Sequence, residues 1–178
     1  MADRPAAHNP LHMDATITAA LRKLVDDTVH ASLSTLHKGA PALSMTPFAV
    51  MPDGSGLVIH VSRLATHTND MLEHPQVAMM VMGQPGSSES PLALPRLSLQ
   101  GLAHPCLPDD SAYGAAKAAY LRRLPDSEEL FSFGDFSLFT VTVQSARLVA
   151  GFGRAHAISA AQFAQAFAAS DNDQPLGV

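Results

Sequence analysis

A Ser/Thr-rich turn between a strand-like run and a helix-like run is the part of the sequence best suited to chemistry. The strand-like run covers residues 56–61, and the helix-like run ends before Pro75. Free backbone N–H groups at a helix start, together with the positive end of the helix dipole, favour an anion. The polar side chains of the turn supply hydroxyl donors and positive charge, and they are Ser62, Arg63, Thr66, His67 and Thr68. From this stretch alone, an ordinary helix cap at Ser62 with the other polar side chains facing water is favoured, and a phosphate site is the alternative.

Other patterns that carry chemistry are weak. His67 and His74 are seven residues apart on the helix-like run and share a face, but Glu73 is the only nearby carboxylate in the sequence that could complete a zinc site. Cys106 has prolines on both sides and is interpreted as a small hydrophobe. Walker, nucleophile-elbow and zinc-protease motifs are absent from the sequence. We therefore assign no catalytic residue and no metal site from the residues alone.

The composition limits the class of protein. The 178 residues fit one domain, which we place at 14–170, between a flexible arm at 1–13 and a polar tail at 171–178. The net charge of −5 provides no basic field for nucleic acid. A single cysteine fits a reducing compartment, so we expect a cytoplasmic protein. The sequence contains no run of 18 apolar residues, so we expect no membrane span.

The first half of the sequence predicts a helix and three strands that position the candidate phosphate site. Asp14 is expected to cap a helix that runs to about Ala31. Pro47 implies an edge, a bulge or a bend in the second strand, and the Gly-rich segment 52–56 predicts a hairpin turn after it. The three strands are expected at 32–36, 42–51 and 57–61, and the helix after them at about 64–73.

The second half predicts three more strands and two more helices. Residues 76–82 are nearly all apolar, which predicts burial on both faces, with methionines filling the core. A capping box at Ser159 and Gln162 predicts the start of the last helix. The remaining strands are expected at 96–104 and 136–150, a helix with acidic residues in its first turn at 108–124, and a long loop at 83–95. Most links are too short for crossovers, so we expect a mainly β protein with helices, a small barrel of about six antiparallel strands.

Several separated segments together resemble one family, in the same order and spacing over about residues 30–158. The most specific segments are Ser-Arg-Leu-Ala-Thr-His-Thr-Asn at 62–69 and Gly-Phe-Gly-Arg at 151–154. The others are residues 39–41, 44–48, 53–54, 96–101 and 134–136. They resemble the pyridoxamine 5'-phosphate oxidase-like FMN-binding split-barrel proteins, in the haem-utilisation (HugZ-type) branch.

The resemblance implies a homodimer with FMN at the subunit interface, an oxidoreductase activity, and a small-molecule substrate of unknown identity. The β-strand at 44–46 would run beside the flavin ring, and the turn at 62–69 would hold the phosphate. His67 falls where related oxidases place a lysine and Ser44 where they place an arginine, so fixed charge is lost at the phosphate. The implied FMN-binding residues are Ser44, Met45, Thr46, Ser62, Leu64, Ala65, Thr66, His67, Thr68, Asn69, Arg96 and Gln100.

Two alternatives to a flavin oxidoreductase stay open. Some members of the haem-utilisation branch bind haem through a histidine in a C-terminal tail. No histidine follows His156 in this sequence, so His156 is the candidate iron ligand from that end if haem binds. The other alternative is a flavin-binding protein without catalytic activity.

Overall fold

The computed structural model describes residues 13–84, 90–151 and 154–168. The predicted arm, apart from Met13, the predicted tail, and parts of the 83–95 loop and of the Gly-Phe-Gly-Arg segment lie outside the described residues. The helices are α1 (Ala15–Asp26), α2 (Thr66–Glu73), α3 (Tyr113–Arg123) and α4 (Ala160–Phe167). The strands are β1 (His30–His37), β2 (Ala40–Pro47), β3 (Ala49–Val50), β4 (Gly56–Ser62), β5 (Gln76–Met82), β6 (Arg96–Cys106), β7 (Phe136–Val149) and β8 (Ala155–Ser159). Short 3-10 segments lie at Pro91–Ala93 and Pro125–Ser132.

The strands form one antiparallel sheet in the order β2-β1-β5-β6-β7-β4-β3, and β8 pairs with β7. The β1–β2 hairpin turns at Lys38 and Gly39, which both have positive φ angles of 51° and 79°. Two consecutive positive φ angles are the geometry of a tight two-residue hairpin. The described part of the chain therefore has eight strands rather than the predicted six, and the mainly β architecture with helices is as predicted.

The inner face of the curved sheet carries the main core. It is filled by large side chains that are fully buried, among them Leu33, Ile59, Met79, Leu97 and Phe139. Helix α1 and helix α4 contribute apolar side chains to this same core. Burial of this kind stabilises by roughly 1.5–3 kcal/mol for each large side chain.

The outer face of the sheet is covered at one end only. There, α3 and the 3-10 segment after it pack on β3, β4 and β7 and, with the end of β6, form a second, smaller core. Its members include Val58, Cys106, Tyr120 and Leu138. Cys106 is buried here, as its interpretation as a small hydrophobe predicts. The rest of the outer face, on β1, β2, β5 and part of β6, carries no described layer.

Strand β5 is not buried on both faces, contrary to the prediction from its apolar sequence. Its residues alternate between exposed and buried, so that Val77, Met79 and Val81 face the core while Met80 and Met82 are 37% and 46% exposed. The sequence of an all-apolar strand does not show which of its faces is buried, because apolar residues also occur on exposed faces. Methionine is thus core filler at position 79 but not at positions 80 and 82.

The bounds of the first helix and of the second predicted strand differ from expectation. Helix α1 has the predicted cap, since the Asp14 carboxylate accepts a hydrogen bond from the Thr16 N–H at 2.7 Å. It ends at Asp26 instead of Ala31, because the chain from His30 onward pairs with β2. The predicted strand 42–51 is broken after Pro47, and β3 pairs with β4 instead of β1.

Other corrections concern the second half of the chain. Helix α3 begins at Tyr113 and has no acidic residue in its first turn, because Asp110 instead accepts the Leu107 N–H at 2.7 Å in the preceding turn. Strand β8 has no counterpart among the predicted elements. The predicted capping box of α4 is confirmed, with hydrogen bonds in both directions between Ser159 and Gln162. Among the described residues, no helix has the length and apolarity needed to cross a membrane.

Candidate cofactor-binding site

The turn between β4 and α2 is present where the sequence places the phosphate site, but its hydroxyls are engaged. The Ser62 hydroxyl donates to the Asp135 carboxylate at 2.7 Å and accepts the Leu64 N–H at 3.1 Å. The Thr68 side chain is fully buried and its hydroxyl donates to the Ser62 carbonyl at 2.7 Å. Helix α2 starts at Thr66 with Ala65 at its cap position, so Ser62 braces the turn and is not the helix cap.

The charges at this turn are less favourable to an anion than the sequence suggests. Arg63 is exposed, and its guanidinium donates to the Gly134 carbonyl. The Asp135 carboxylate adds a negative charge next to Ser62. Burial lowers the pKa of His67, and the Asp70 carboxylate opposes this only in part. A histidine with a lowered pKa is mostly neutral at pH 7, so Arg63 is the main cation of the turn.

The segment predicted to run beside a flavin ring lies on β2, an edge strand of the sheet. Its side chains alternate: Thr46 is 2% exposed and Met45 is 60% exposed. The half-buried Ser44 hydroxyl donates to the Leu33 carbonyl at 3.3 Å. The edge therefore offers an apolar outer side at Met45 and Leu43, which is 77% exposed, and a polar inner side at Ser44.

Arg96 and Gln100 lie elsewhere on the molecule. They are on β6, opposite Met82 and Ala78 of β5, on the uncovered outer face. The Arg96 guanidinium donates to the carbonyls of two residues in the preceding segment, Leu92 and Leu94. Strand β6 is three strands from β2, roughly 14 Å at the usual strand spacing. Arg96 lies opposite Val149 of β7 and Gln100 opposite Ser145, whereas Ser62 lies opposite Phe136, so neither residue is beside the turn between β4 and α2 within one chain.

The remaining predicted residues of the turn divide by exposure. Leu64 is 86% exposed, and Thr66 and Asn69 are also exposed, whereas Ala65 is half-buried. A polar or charged ligand at the turn would therefore meet an exposed leucine and free polar side chains. Whether FMN uses this turn stays a prediction.

Next to the turn lies a polar cluster that sequence reasoning missed. Asp70 on α2 is buried, and its carboxylate accepts the Thr35 hydroxyl at one oxygen and meets Nδ1 of His37 at the other, each at 2.8 Å. The hydrogen bond from His37 is the main cause that lowers the pKa of Asp70, with Thr35 adding to it and burial opposing it. The partners lie 33 and 35 residues from Asp70 in the sequence, so no local pattern could reveal them.

His67 on α2 and His74 directly after it are the pair considered above as a weak candidate for a zinc site. His74 Nε2 lies 3.7 Å from Glu73 Oε1, which is beyond hydrogen-bond distance. Asp70, not Glu73, is the carboxylate that engages a histidine ring closely. The described residues contain no group of three or more His, Cys, Asp or Glu side chains that could hold a metal ion.

His156 lies far from the turn between β4 and α2. It is on β8 opposite Leu148, whereas Ser62 is opposite Phe136 at the other end of β7. Twelve residues of β7 separate the two positions, up to about 40 Å at the rise of a strand. His156 lines a cavity of about 360 Å³ together with Asp14 at the start of α1. Within one chain, His156 and the residues predicted to bind phosphate therefore lie in two separate regions of the molecule.

Sequence reasoning also missed a buried histidine. His60 on β4 is 6% exposed and its Nδ1 has no hydrogen-bond partner. Its ring stacks on Phe131 at 3.9 Å between centroids and meets Tyr120 edge-on at 5.7 Å. Burial, with a smaller effect of the Lys117 charge, lowers the pKa of His60 to about 4. This histidine is a neutral member of the second core.

Comparison with known proteins places the chain in a family. The family model described as CREG, β-barrel, matches residues 10–165. The chloroplastic non-canonical heme oxygenase HOZ of Arabidopsis thaliana is 32% identical over 138 residues, which are 76% of this chain and 40% of that protein. The structure of a heme-binding protein from Mycobacterium smegmatis superposes with a TM-score of 0.75 at 25% identity, covering 86% of this chain and 62% of that one. HutZ, the heme storage protein from Vibrio cholerae, has a TM-score of 0.65 at 21% identity, covering 72% and 91%.

The fold and these matches place the protein in the class of split β-barrels with helices. The same fold is found in structures of pyridoxamine-phosphate-oxidase-like proteins. The fold class predicted from the sequence is thereby confirmed. Within this class, the chain belongs to the CREG β-barrel family. It spans 40% of the length of HOZ and 62% of the mycobacterial chain.

Proposed function

We propose that the protein binds haem and acts in haem degradation or storage. This is the alternative function named in the sequence analysis, where a flavin oxidoreductase was the principal expectation. The observation that carries the proposal is the 32% identity to a protein named as a heme oxygenase. The superposition on a heme-binding protein at 25% identity supports it. Haem, when bound, supplies the iron that binds and activates oxygen, and the protein supplies the pocket and the iron ligand.

The geometry of the turn between β4 and α2 argues against FMN as the preferred cofactor. A phosphate there would need the Ser62 hydroxyl, which is bonded to the Asp135 carboxylate. Phosphate binding would replace this hydrogen bond to a charged group by another of similar strength, about 1.5–3 kcal/mol each, so the Ser62 hydroxyl adds little net free energy. The start of a helix gives an anion roughly 0.3–2 kcal/mol. The exchange therefore gains little or nothing, and the Asp135 charge would repel the phosphate.

The residues at the β2 edge fit the chemistry of haem better. Leu43 and Met45 offer exposed apolar surface to a macrocycle. A free metal ion would need several protein ligands, and the described residues offer no such group. Haem brings four ring nitrogens of its own, so one histidine from the protein is sufficient.

We further propose that the protein acts as a homodimer whose subunits meet over the uncovered outer face. This face carries four exposed apolar side chains, namely Leu43, Met45, Met80 and Met82. The strand pairing places them on one side of the sheet. Exposed apolar side chains grouped on one face of a sheet favour an interaction site. A second copy is the occupant that the low charged fraction of the chain, 15%, supports.

The test is a titration of the purified full-length protein with hemin and, separately, with FMN, each followed by gel filtration and a visible spectrum. We expect a Soret band that elutes with the protein and no retained flavin bands. Retained flavin together with hemin that washes away would overturn the proposal in favour of a flavin oxidoreductase or a flavin-binding protein. Loss of the Soret band on adding a reductant in air would indicate degradation, and its persistence would indicate storage.

A further inference from the structure

A cavity of about 650 Å³ lies where α3 packs against β3, beside the ends of α1 and α4. Two neighbouring arginines in the last turn of α3, Arg122 and Arg123, line it. Asp26, the last residue of α1, is the carboxylate among the described residues around it, and the other described lining residues are apolar. The residues of the candidate cofactor site are not part of this lining, so the cavity is a separate place on the molecule.

The guanidinium of Arg123 is held in place by the end of α1 and the residues after it. Its Nη2 donates to the Val25 carbonyl and, at 2.7 Å, to the Thr28 carbonyl. Its central carbon lies 5.1 Å from the centroid of the Phe48 ring. Cationic side chains are favoured beside the last carbonyls of a helix, where the helix dipole is negative. The orientation of this guanidinium is therefore fixed before any ligand arrives.

One nitrogen of the Arg123 guanidinium remains available to a ligand. Nε is buried and has no hydrogen-bond partner. Nη1 is neither hydrogen-bonded within the described residues nor buried, so it reaches the open space of the cavity that Arg123 lines. Burial lowers the pKa of Arg123, and the charge of Asp26 opposes this only in part. The half-buried positive charge thus lacks a close counter-charge, which an anionic ligand would provide.

Arg122 is the second cation of the cavity and has no structural partner. Its side chain is exposed, and it makes no hydrogen bond, ring contact or ion pair with another described residue. Among the described residues, no carboxylate forms a salt bridge with either arginine. All of the N–H donors of Arg122 are therefore free to bind a ligand.

The charges and the walls of the cavity define the class of ligand. Two guanidinium groups and one carboxylate leave one positive charge without compensation, which suits a ligand with a single negative charge. The planar fork of a guanidinium matches the two oxygens of a carboxylate. The apolar walls suit a hydrocarbon body, and a cavity of this size accommodates a small molecule.

We infer that the cavity between α1, β3 and α3 binds a small monocarboxylic acid with an apolar body. The carboxylate of this ligand binds the two arginines, and its body packs on Val50, Met51 and Phe167. This inference does not rest on the proposed haem function, because it uses other residues in another region of the molecule.

A purely structural role for the arginine pair makes a different prediction. Such a role needs only Arg123, which ties α3 to the end of α1 through its hydrogen bonds. Arg122 has no contact of this kind, so its replacement should leave the stability unchanged in either case. Only a ligand site makes the binding of a carboxylate depend on Arg122.

The experiment titrates the full-length protein, labelled at its methionine methyl groups, with hexanoate, acetate and hexan-1-ol, and follows the Met51 methyl resonance by NMR. Met51→Leu identifies that resonance. We expect hexanoate to shift it saturably, whereas acetate, which lacks the body, and hexan-1-ol, which lacks the charge, bind at least about tenfold more weakly. Hexan-1-ol that binds as tightly as hexanoate, or a Met51 resonance that hexanoate leaves in place, would overturn the inference.

Arg122→Gln removes one cation without removing a contact of the fold. It should keep the wild-type melting temperature within a degree or two and bind hexanoate about fivefold more weakly. Lys38→Gln removes the same charge from an exposed position in the β1–β2 hairpin turn, outside the cavity, and should bind hexanoate as the wild type does. Equal affinities of the wild type and Arg122→Gln would show that the arginine pair is only structural.

Carboxylates also occur in the chain itself, since Asp171 and Asp173 follow α4 in the sequence. A double variant, Asp171→Asn with Asp173→Asn, separates this source from a free acid. We expect an unchanged affinity for hexanoate, which assigns the cavity to a free acid. Several-fold tighter binding would keep the carboxylate site but assign it to the aspartates of the chain, because they would then compete for the same arginines. If hexanoate binds neither the wild type nor the double variant, the inference is wrong.

Discussion

Replacing His60 by phenylalanine should remove an acid-sensitive element from the second core. The ring of His60 is stacked on Phe131 at an interplanar angle of 10°, and phenylalanine preserves a ring of similar shape there. The pKa of His60 is lowered from 6.5 to about 4 in the folded protein, mainly by burial. As the pH falls, His60 therefore takes up a proton in the unfolded chain before it does so in the folded protein. The contribution of neutral His60 to the free energy of unfolding is complete above pH 6.5 and is lost as the pH falls towards 4.

The magnitude follows from the two pKa values. At pH 5 the difference in proton binding corresponds to about 2 kcal/mol of unfolding free energy, and water that reaches the ring edge would reduce this to about 1 kcal/mol. The wild-type protein should lose this amount between pH 8 and pH 5 relative to His60→Phe. Any constant cost of fitting the larger phenylalanine cancels, because each protein is compared with itself at two pH values.

The assay is urea unfolding of both proteins at pH 8 and pH 5, monitored by circular dichroism. His104→Phe, at an exposed position on β6, controls for a histidine lost from the surface. If wild type and His60→Phe lose the same free energy between the two pH values, His60 does not have a lowered pKa in the folded protein. The account of the second core as an environment that keeps a neutral histidine would then be wrong.

Asp135→Asn keeps an oxygen that can accept a hydrogen bond from the Ser62 hydroxyl but removes a negative charge. Inorganic phosphate and FMN should therefore bind several-fold more tightly, as measured by calorimetry. Unchanged binding would show that the turn between β4 and α2 is not where an anion binds. Ser159→Ala removes the hydroxyl that accepts the Gln162 backbone N–H in the capping box and should lower the unfolding free energy by about 1 kcal/mol in a urea titration. A change below about 0.3 kcal/mol would refute this. Met80→Asp places a charge on the uncovered face and should shift the protein from dimer to monomer by light scattering, whereas Leu107→Asp, at an exposed leucine on another part of the surface, should not. A Met80→Asp protein that elutes as a dimer would place the subunit interface elsewhere.

Local chemistry determined much of the fold in advance. The cap at Asp14, the hairpin turn after β3 and the capping box at Ser159 each involve residues within a few positions of one another, and each is present. Alternating and apolar segments likewise located the strands, and short links required them to pair antiparallel. Motifs in order along the chain gave the split-barrel class, which the comparisons confirm.

The use of each strand face was decided only by the tertiary structure. Strand β5 is apolar throughout, yet whether Met80 faces a core or an interface depends on which layers cover the sheet, and α3 covers only its other end. The availability of the hydroxyls at the turn after β4 was likewise decided by the tertiary structure. Ser62 and Thr68 have the right types for a phosphate, but Asp135, 73 residues away from Ser62, takes the first of them.

The sequence by itself determined that this chain forms an antiparallel barrel with helices and carries a polar turn before α2. The cluster of Thr35, His37 and Asp70 was decided by the tertiary structure, because strand pairing and helix packing bring together residues that no local pattern connects. Hydrogen bonds between distant residues depend on the packing of whole elements, whereas caps and tight turns depend on neighbours in the chain. That physical difference explains why the sequence located the elements, whereas only the structure showed that His37 and Thr35 meet Asp70.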